Sequence, residues 1–383
     1  MNSNETPHLS FVIPCLNESL CLKSVLEDCH VGGKLTQTPY EVIVADNGSS
    51  DGSQSIALAN GAKLIHVPTK GYGAALKAGI DAAEGEFVIM GDADRTYNFK
   101  DAPLFLEQLY MGADLVMGNR FKGVIQPGAM PFLHRRLGNP VLSGIGSLFF
   151  GIPVGDFHCG LRAFKSSSIK LLGLKSNGME FASEMVIKAS LRDLRLVEVP
   201  TSLSLDHPDR TPHLRTWRDG WRHLKFMLSF SPKYSFLLFA FLLFLISAFS
   251  LISFAFNVNP ISGPNTLIVS AFTLFSGLFV FSDYLTTRTM FSETYGKPSV
   301  FATWLRRYVF RGSKGVDTIY QTAAVSFLIG LIIFISSLSS FFDSTPSTRL
   351  ENIIIYLGCL FWSMSLTCYL TAAKISTIRS VRD

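Results

Sequence analysis

A chain of 383 residues that is 48% hydrophobic, only 16% charged and has a mean hydropathy of +0.30 is too apolar for an ordinary soluble protein. Its net charge of +5 comes without a basic stripe interleaved with base-stacking aromatics, which argues against a nucleic-acid partner. Cys15, Cys21, Cys29, Cys159, Cys359 and Cys368 lack metal-ligand spacing and read as small, reduced side chains. Met1–Ser10 is polar, so no signal peptide is expected.

Up to about Ser231 strand-like and helix-like runs alternate. The strands are expected at Leu9–Pro14, Glu41–Ala45, Lys63–Val67, Phe87–Met90 and Asp114–Met117. The helices between them are expected at about Glu18–His30, Ser53–Asn60, Gly73–Ala83 and Asp101–Met111. This alternation predicts an α/β domain, a parallel sheet with helices on both faces, whose ligands bind at the carboxyl ends of the strands. Polar clusters stand at those ends: Asn17-Glu18, Asp46-Asn-Gly-Ser-Ser-Asp51, Lys70-Gly-Tyr-Gly73 and Asp92-Ala-Asp94.

Each cluster has a plain reading as well as a functional one. Asp46 and Asp51 suit a tight turn and a helix N-cap, and equally a hydrogen bond to a base or ribose. Lys70–Gly73 suits a turn, and equally a close backbone approach to a nucleotide. Asp92 and Asp94, leaving a strand two apart, can meet at one hard cation, Mg²⁺ or Mn²⁺, with diphosphate oxygens completing the shell. No G-x-G-x-x-G follows the first strand and no P-loop is present, which argues against dinucleotide and P-loop chemistry.

Taken together, Phe11-Val-Ile-Pro14-Cys-Leu-Asn17-Glu18, Ala45-Asp-Asn-Gly-Ser-Ser-Asp51-Gly, Gly91-Asp-Ala-Asp94 and Gly118-Asn-Arg120-Phe resemble the family 2 glycosyltransferases of GT-A fold. Asp156-Phe-His-Cys-Gly160-Leu-Arg162-Ala-Phe is similar to the acceptor-side motif of the dolichyl- and undecaprenyl-phosphate sugar synthases. The resemblance implies that Pro14, Asn17, Glu18, Asp46, Asp51, Lys70, Gly73 and Asp92 hold a UDP- or GDP-hexose, and that Asp92 and Asp94 hold the metal. It also implies that Asp94, Arg120 and Asp156 line the reaction centre. Two departures stand out: Arg95-Thr96-Tyr97 replaces the Leu-Gln pair usual after the second Asp, and Arg210-Thr-Pro-His-Leu-Arg215 lacks the usual Gly-Ser pair. Glu180 and Glu184, four apart on one helix face, read equally as sugar contacts or as surface carboxylates.

Between residues 210 and 233, apolar Leu214, Trp217, Trp221, Leu224 and Leu228 fall beside cationic Arg215, Arg218, Arg222 and Lys225 at helical spacing. That pattern predicts a helix in the membrane interface in preference to one packed on the domain with a solvated basic side, with Arg135, Arg162, Arg210 and Arg215 as candidates for an anionic lipid phosphate. Four apolar stretches follow, Tyr234–Phe256, Thr266–Met290, Ile319–Phe342 and Ile353–Ala373, each near the roughly 20 residues a span needs. Lys and Arg crowd the alternate loops, which predicts a multi-pass protein with both termini and the catalytic domain (residues 1–209) cytosolic, at the plasma membrane if bacterial. The spans (234–383) leave self-association into a homo-oligomer open.

The expected reaction is inverting, metal-dependent transfer of one hexose, from UDP-glucose before GDP-mannose, to a polyprenyl phosphate. A lipid phosphate is already anionic and needs placement rather than a general base. A processive synthase is disfavoured because Gln-x-x-Arg-Trp is missing. Transfer to a lipid hydroxyl would require Asp156 as a base, and a non-catalytic nucleotide-sugar binding or transport module would bind without turnover.

Overall fold

The computed structural model describes residues 6–210, 216–256, 264–295, 321–332, 335, 356–358 and 360–371. The chain divides into two compact units, Met1–Phe230 and Ser231–Asp383.

The first unit is built on a seven-stranded sheet: β1 (Leu9–Cys15), β2 (Tyr40–Asp46), β3 (Lys63–His66), β4 (Phe87–Met90), β5 (Leu115–Asn119), β6 (Arg162–Lys165) and β7 (Leu196–Pro200). Their order is β3-β2-β1-β4-β6-β5-β7. β1, β2, β3 and β4 run parallel, as expected. The all-parallel expectation fails at β6, which runs antiparallel between β4 and β5. The chain leaves β5, passes through residues 120–161, and so re-enters the sheet from the opposite end, carrying the Asp156–Arg162 motif to the ends of β4 and β5.

Helices α1 (Leu22–Leu35), α2 (Ser53–Ala59), α3 (Tyr72–Asp81) and α4 (Ala102–Tyr110) follow the first four strands. α1 begins at Leu22 rather than near Glu18, because Glu18 stays in the loop, where its backbone N–H donates to Ser53 Oγ. α5 (Asn139–Phe150), α6 (Ser166–Lys170), α7 (Phe181–Leu191) and α8 (Thr216–Ser229) complete the unit. Alternating strand residues divide the core: Phe11, Val42, Val44 and Ile89 pack with α1 and α4, while Val12, Ile43, Val88 and Met90 pack with α3 and α7. α8 packs against α5 and α7, burying His223 and Met227.

The second unit contains α9 (Leu238–Ala255), continuous with a π-helical turn at Lys233–Leu237, and α10 (Pro264–Tyr295). Among the described residues two stretches are long and apolar enough to cross a membrane, Lys233–Ala255 and Val269–Arg288. Gln321–Ile332 is a shorter apolar helix, and much of the third and fourth expected spans lies outside the described residues, as does Arg215. Within this unit Ser247 and Ser270 are bonded to each other and Ser270 meets Tyr356, giving polar side chains partners inside an apolar bundle.

Candidate active site

The loops at the carboxyl ends of β1 and β2 brace one another. Asn17, at φ 55°, accepts the Ser50 N–H at 2.8 Å, and Asp51 accepts N–H groups of Ser19 (2.9 Å) and Ser53 (3.0 Å) together with the Ser53 hydroxyl (2.6 Å). Burial would raise the Asp51 carboxyl, but these donors outweigh it and hold it at about 2. Asp46 accepts the N–H groups of Gly48 (3.2 Å) and Ser49 (3.1 Å) and the Gln54 amide (2.7 Å). Pro14 lies beside Ala45 in the β1–β2 ladder. Asn47 ties this edge to the next loop: its Nδ2 donates to Val67 and Thr69 carbonyls, its Oδ1 accepts the Gly71 N–H at 2.7 Å, and its carbonyl accepts Lys70 Nζ at 2.6 Å. Asn47 carries more of this edge than its sequence context reveals.

The first turn of α3, which contains Gly73, is covered by residues 176–178. The Ala74 N–H donates to the Asn177 carbonyl, and a Cβ on Gly73 would come within 2.4 Å of the Ser176 carbonyl. Glu184 supports that cover from below, accepting the N–H groups of Lys175 and Ser176 and pairing with Lys188 at 2.6 Å. Glu184 is therefore buried scaffolding rather than a sugar contact. Glu180 Oε2, by contrast, is sealed from solvent with no hydrogen-bond partner.

At the end of β4, Asp92 Oδ1 accepts the Tyr72 hydroxyl at 2.8 Å, while Asp94 Oδ1 accepts the Thr96 N–H (3.0 Å) and hydroxyl (2.6 Å). Burial, and then the neighbouring Asp94 charge, push the Asp92 carboxyl up to about 7. No group of three His, Cys, Asp or Glu forms a metal cage among the described residues. Two neighbouring carboxylates nevertheless fit a divalent cation that takes its remaining ligands from phosphate oxygens. Tyr97, where the sequence departs from the family pattern, is buried and accepts the Gly160 N–H through its hydroxyl.

Two guanidinium groups face this pair, and both ease the ionisation of Asp92. Arg210 donates to both Glu18 oxygens (Nε at 2.7 Å, Nη2 at 2.6 Å) and to Asp206 (2.6 Å), with Nη1 3.6 Å from Asp94 Oδ2. Arg120 forms a buried fork with Asp156. Glu198 of β7 accepts the N–H groups of Gly155 and Asp156, the Asn119 amide and Lys122 Nζ, fixing both loops that carry the fork.

Arg162 is a correction. It was expected at an acceptor phosphate, yet it is fully buried and its guanidinium donates to the carbonyls of Phe157, Cys159 and Ala182. Arg162 stands in register with Met90 and Met117, so its side chain points to the same face, where it ties the motif to α7. Arg135 is exposed on a π-helical turn, His134–Gly138.

The glycosyl transferase family 2 profile matches residues 10–173. The dolichyl-phosphate hexose transferase of Haloferax volcanii is 32% identical over 194 residues, covering 50% of this chain and 81% of its own length. The chain belongs to glycosyltransferase family 2. The low-salt glycan biosynthesis hexosyltransferase of Haloferax volcanii is 40% identical over 244 residues, 61% of this chain, although the match spans only 56% of that relative. An undecaprenyl-phosphate 4-deoxy-4-formamido-L-arabinose transferase of Edwardsiella ictaluri is 29% identical over 290 residues, 71% of this chain and 83% of that one.

Proposed function

We propose that the protein transfers a single hexose, with inversion, from a UDP- or GDP-sugar to a polyprenyl phosphate at the cytosolic face of a membrane, UDP-glucose being the favoured donor. The observation that carries this reading is the Asp92–Asp94 pair at the carboxyl edge of β4, faced by Arg120 and Arg210. An acidic pair suits a metal-bound diphosphate and paired cations suit a second phosphate.

The chemistry follows from the acceptor. A polyprenyl phosphate brings its own anionic oxygen, which attacks the sugar's anomeric carbon in line as the bond to the nucleoside diphosphate breaks. Mg²⁺ or Mn²⁺, held by Asp92 and Asp94, would supply charge neutralisation for the departing diphosphate. The protein's part is placement and electrostatics. Tyr72 orients Asp92, Thr96 orients Asp94, and Arg120 directs positive charge at the reaction centre while Asp156 fixes its plane.

Transfer to a lipid hydroxyl fits less well. It would require Asp156 to accept a proton, yet that carboxylate is fully buried with both oxygens engaged by Arg120. A membrane setting is supported by the apolar stretches at Lys233–Ala255 and Val269–Arg288. On the first unit, Trp221 of α8 is 64% exposed beside Arg218 and Arg222. Phe132, Leu133, Leu137, Val141 and Leu148 are also exposed, in a stretch from 121 to 150 that contains no carboxylate.

The test is to incubate detergent-purified protein with undecaprenyl or dolichyl phosphate, Mg²⁺ and a panel of radiolabelled UDP- and GDP-sugars. Mild-acid-labile label in the organic phase from one donor, lost in Asp94→Ala, is expected. Background counts from every donor, with nucleotide still bound tightly, would overturn the assignment of the acceptor.

A further inference from the structure

Arg210 touches carboxylates with different destinies. Its Nε and Nη2 form a two-pronged bond with Glu18, at the end of β1 on the expected nucleoside side. Its Nη1 is 2.6 Å from Asp206 and 3.6 Å from Asp94, one of the two carboxylates that fit the metal. Arg210 side-chain exposure is 12% and Glu18 side-chain exposure 5%, so the ion pair is shielded enough to matter. One cation therefore neutralises donor-side carboxylates from two strand ends, and it belongs to a segment 192 residues away from Glu18, just before α8.

A guanidinium and a divalent cation are alternatives at Asp94 Oδ2, because like charges a few ångströms apart repel strongly where solvent is scarce. A ribose or base that donates hydrogen bonds to Glu18 competes for the very oxygens that Arg210 holds. Donor binding thus removes both of Arg210's strand-end partners together. Only Asp206 then remains to a guanidinium shielded from solvent, and a phosphate dianion is the partner its freed fork fits best.

We infer that Arg210 is a shared counter-ion that passes from the donor carboxylates Glu18 and Asp94 to the acceptor phosphate, so that the donor binds first and its binding tightens the acceptor. This rests on the lipid-phosphate reading given above. By linkage, acceptor binding must tighten the donor by the same factor. The role is positioning, with no bond made or broken at Arg210.

The two halves of the inference predict effects of opposite sign, which a scaffold residue would not produce. Full-length protein is titrated with Mn²⁺, free Mn²⁺ being read by electron paramagnetic resonance, and then with farnesyl phosphate in the presence and absence of Mn²⁺ and UDP, read by calorimetry. In Arg210→Gln, Mn²⁺ binding without nucleotide is expected to tighten by about ten-fold, because a competing positive charge is gone. In wild type, Mn²⁺ and UDP together are expected to tighten farnesyl phosphate binding by about ten-fold, and Arg210→Gln to abolish that gain. Arg210→Lys, which keeps the charge but not the fork, should bind Mn²⁺ as wild type does and retain only part of the gain. It carries the test if the neutral variant fails to fold.

Weaker or unchanged Mn²⁺ binding in a folded Arg210→Gln would overturn the inference. So would farnesyl phosphate affinity in wild type that is indifferent to Mn²⁺ and UDP. A Lys variant that gave the full gain would overturn the hand-over through the fork. Failure of the functional reading looks different: wild type would then bind no farnesyl phosphate under either condition.

Discussion

Arg120 and Asp156 form a three-bond pair in the interior of the first unit. Arg120 Nε donates to Asp156 Oδ2 at 2.6 Å, Nη2 donates to Oδ1 at 2.8 Å, and the Arg120 backbone N–H adds a third bond at 3.1 Å. Asp156 is fully buried and Arg120 nearly so. Asp156→Asn leaves a buried guanidinium without its counter-charge, a loss that commonly costs about 3–5 kcal/mol. A lower melting temperature is expected, with activity lost in parallel. In a double-mutant cycle with Arg120→Met, the paired loss should be smaller than the sum of the singles, because the second change removes the stranded charge. Additive losses would mean that the two residues act separately.

Glu198 is expected to behave as a strut for the same loops. Its carboxylate serves four donors, two of them the N–H groups of Gly155 and Asp156. Burial would raise this carboxyl, but Lys122, the Asp156 N–H and Asn119 together hold it below the usual range. Glu198→Gln turns one acceptor into a donor facing Asn119 and Lys122, at a cost of about 1–3 kcal/mol. The expected kinetic signature is a reduced kcat with an unchanged Kd for UDP, since the nucleotide side is built on other loops. A weakened UDP affinity measured by calorimetry would contradict this.

The residues of the strand-end clusters were placed correctly because they lie within a few positions of strand ends, and the sheet rule alone brings them to one edge. Asn17, Asp46, Asp51, Lys70, Asp92 and Asp94 all fall there. Contacts made over long sequence separations were not legible. Glu198 meets Asn119 from 79 positions away, and Tyr97 reaches Gly160 from 63. Arg162 was misread for a geometric reason: a motif gives residue type and spacing, whereas the direction of its side chain depends on the register in which β6 pairs with β4 and β5. Tyr72, with a buried hydroxyl on Asp92, looked like part of a glycine turn.

Gly71→Ala tests the joint between the Lys70 loop and residues 176–178. Gly71 has φ 134°, and a Cβ there would stand 2.1 Å from the Asn177 carbonyl, so backbone must move as well as strain be accepted. Gly52→Ala is the control, having φ 91° but nothing within 4 Å. The control should lose only the conformational term, about 1–2 kcal/mol. Gly71→Ala should lose more, and should also weaken UDP binding, because the Gly71 N–H holds Asn47 and Asn47 holds Lys70. Equal melting temperatures in the two variants would show that residues 176–178 give way freely.

Asp51 makes stability depend on pH in a defined direction. Its carboxyl sits at about 2 in the folded protein against an ordinary 3.8, since the Ser53 and Ser19 donors favour the ionised form over the opposing effect of burial. Between those values the unfolded chain binds more protons than the folded one, so stability rises with pH through that window. The contribution is complete above 3.8 and disappears as pH falls towards about 2. Asp51→Asn should therefore melt below wild type at neutral pH, by a small amount because the side chain is exposed, and the gap should close progressively under acid. A gap that stayed constant from neutral pH down to the acid limit would mean that Asp51 holds Ser19 and Ser53 through geometry alone, with its charge contributing nothing.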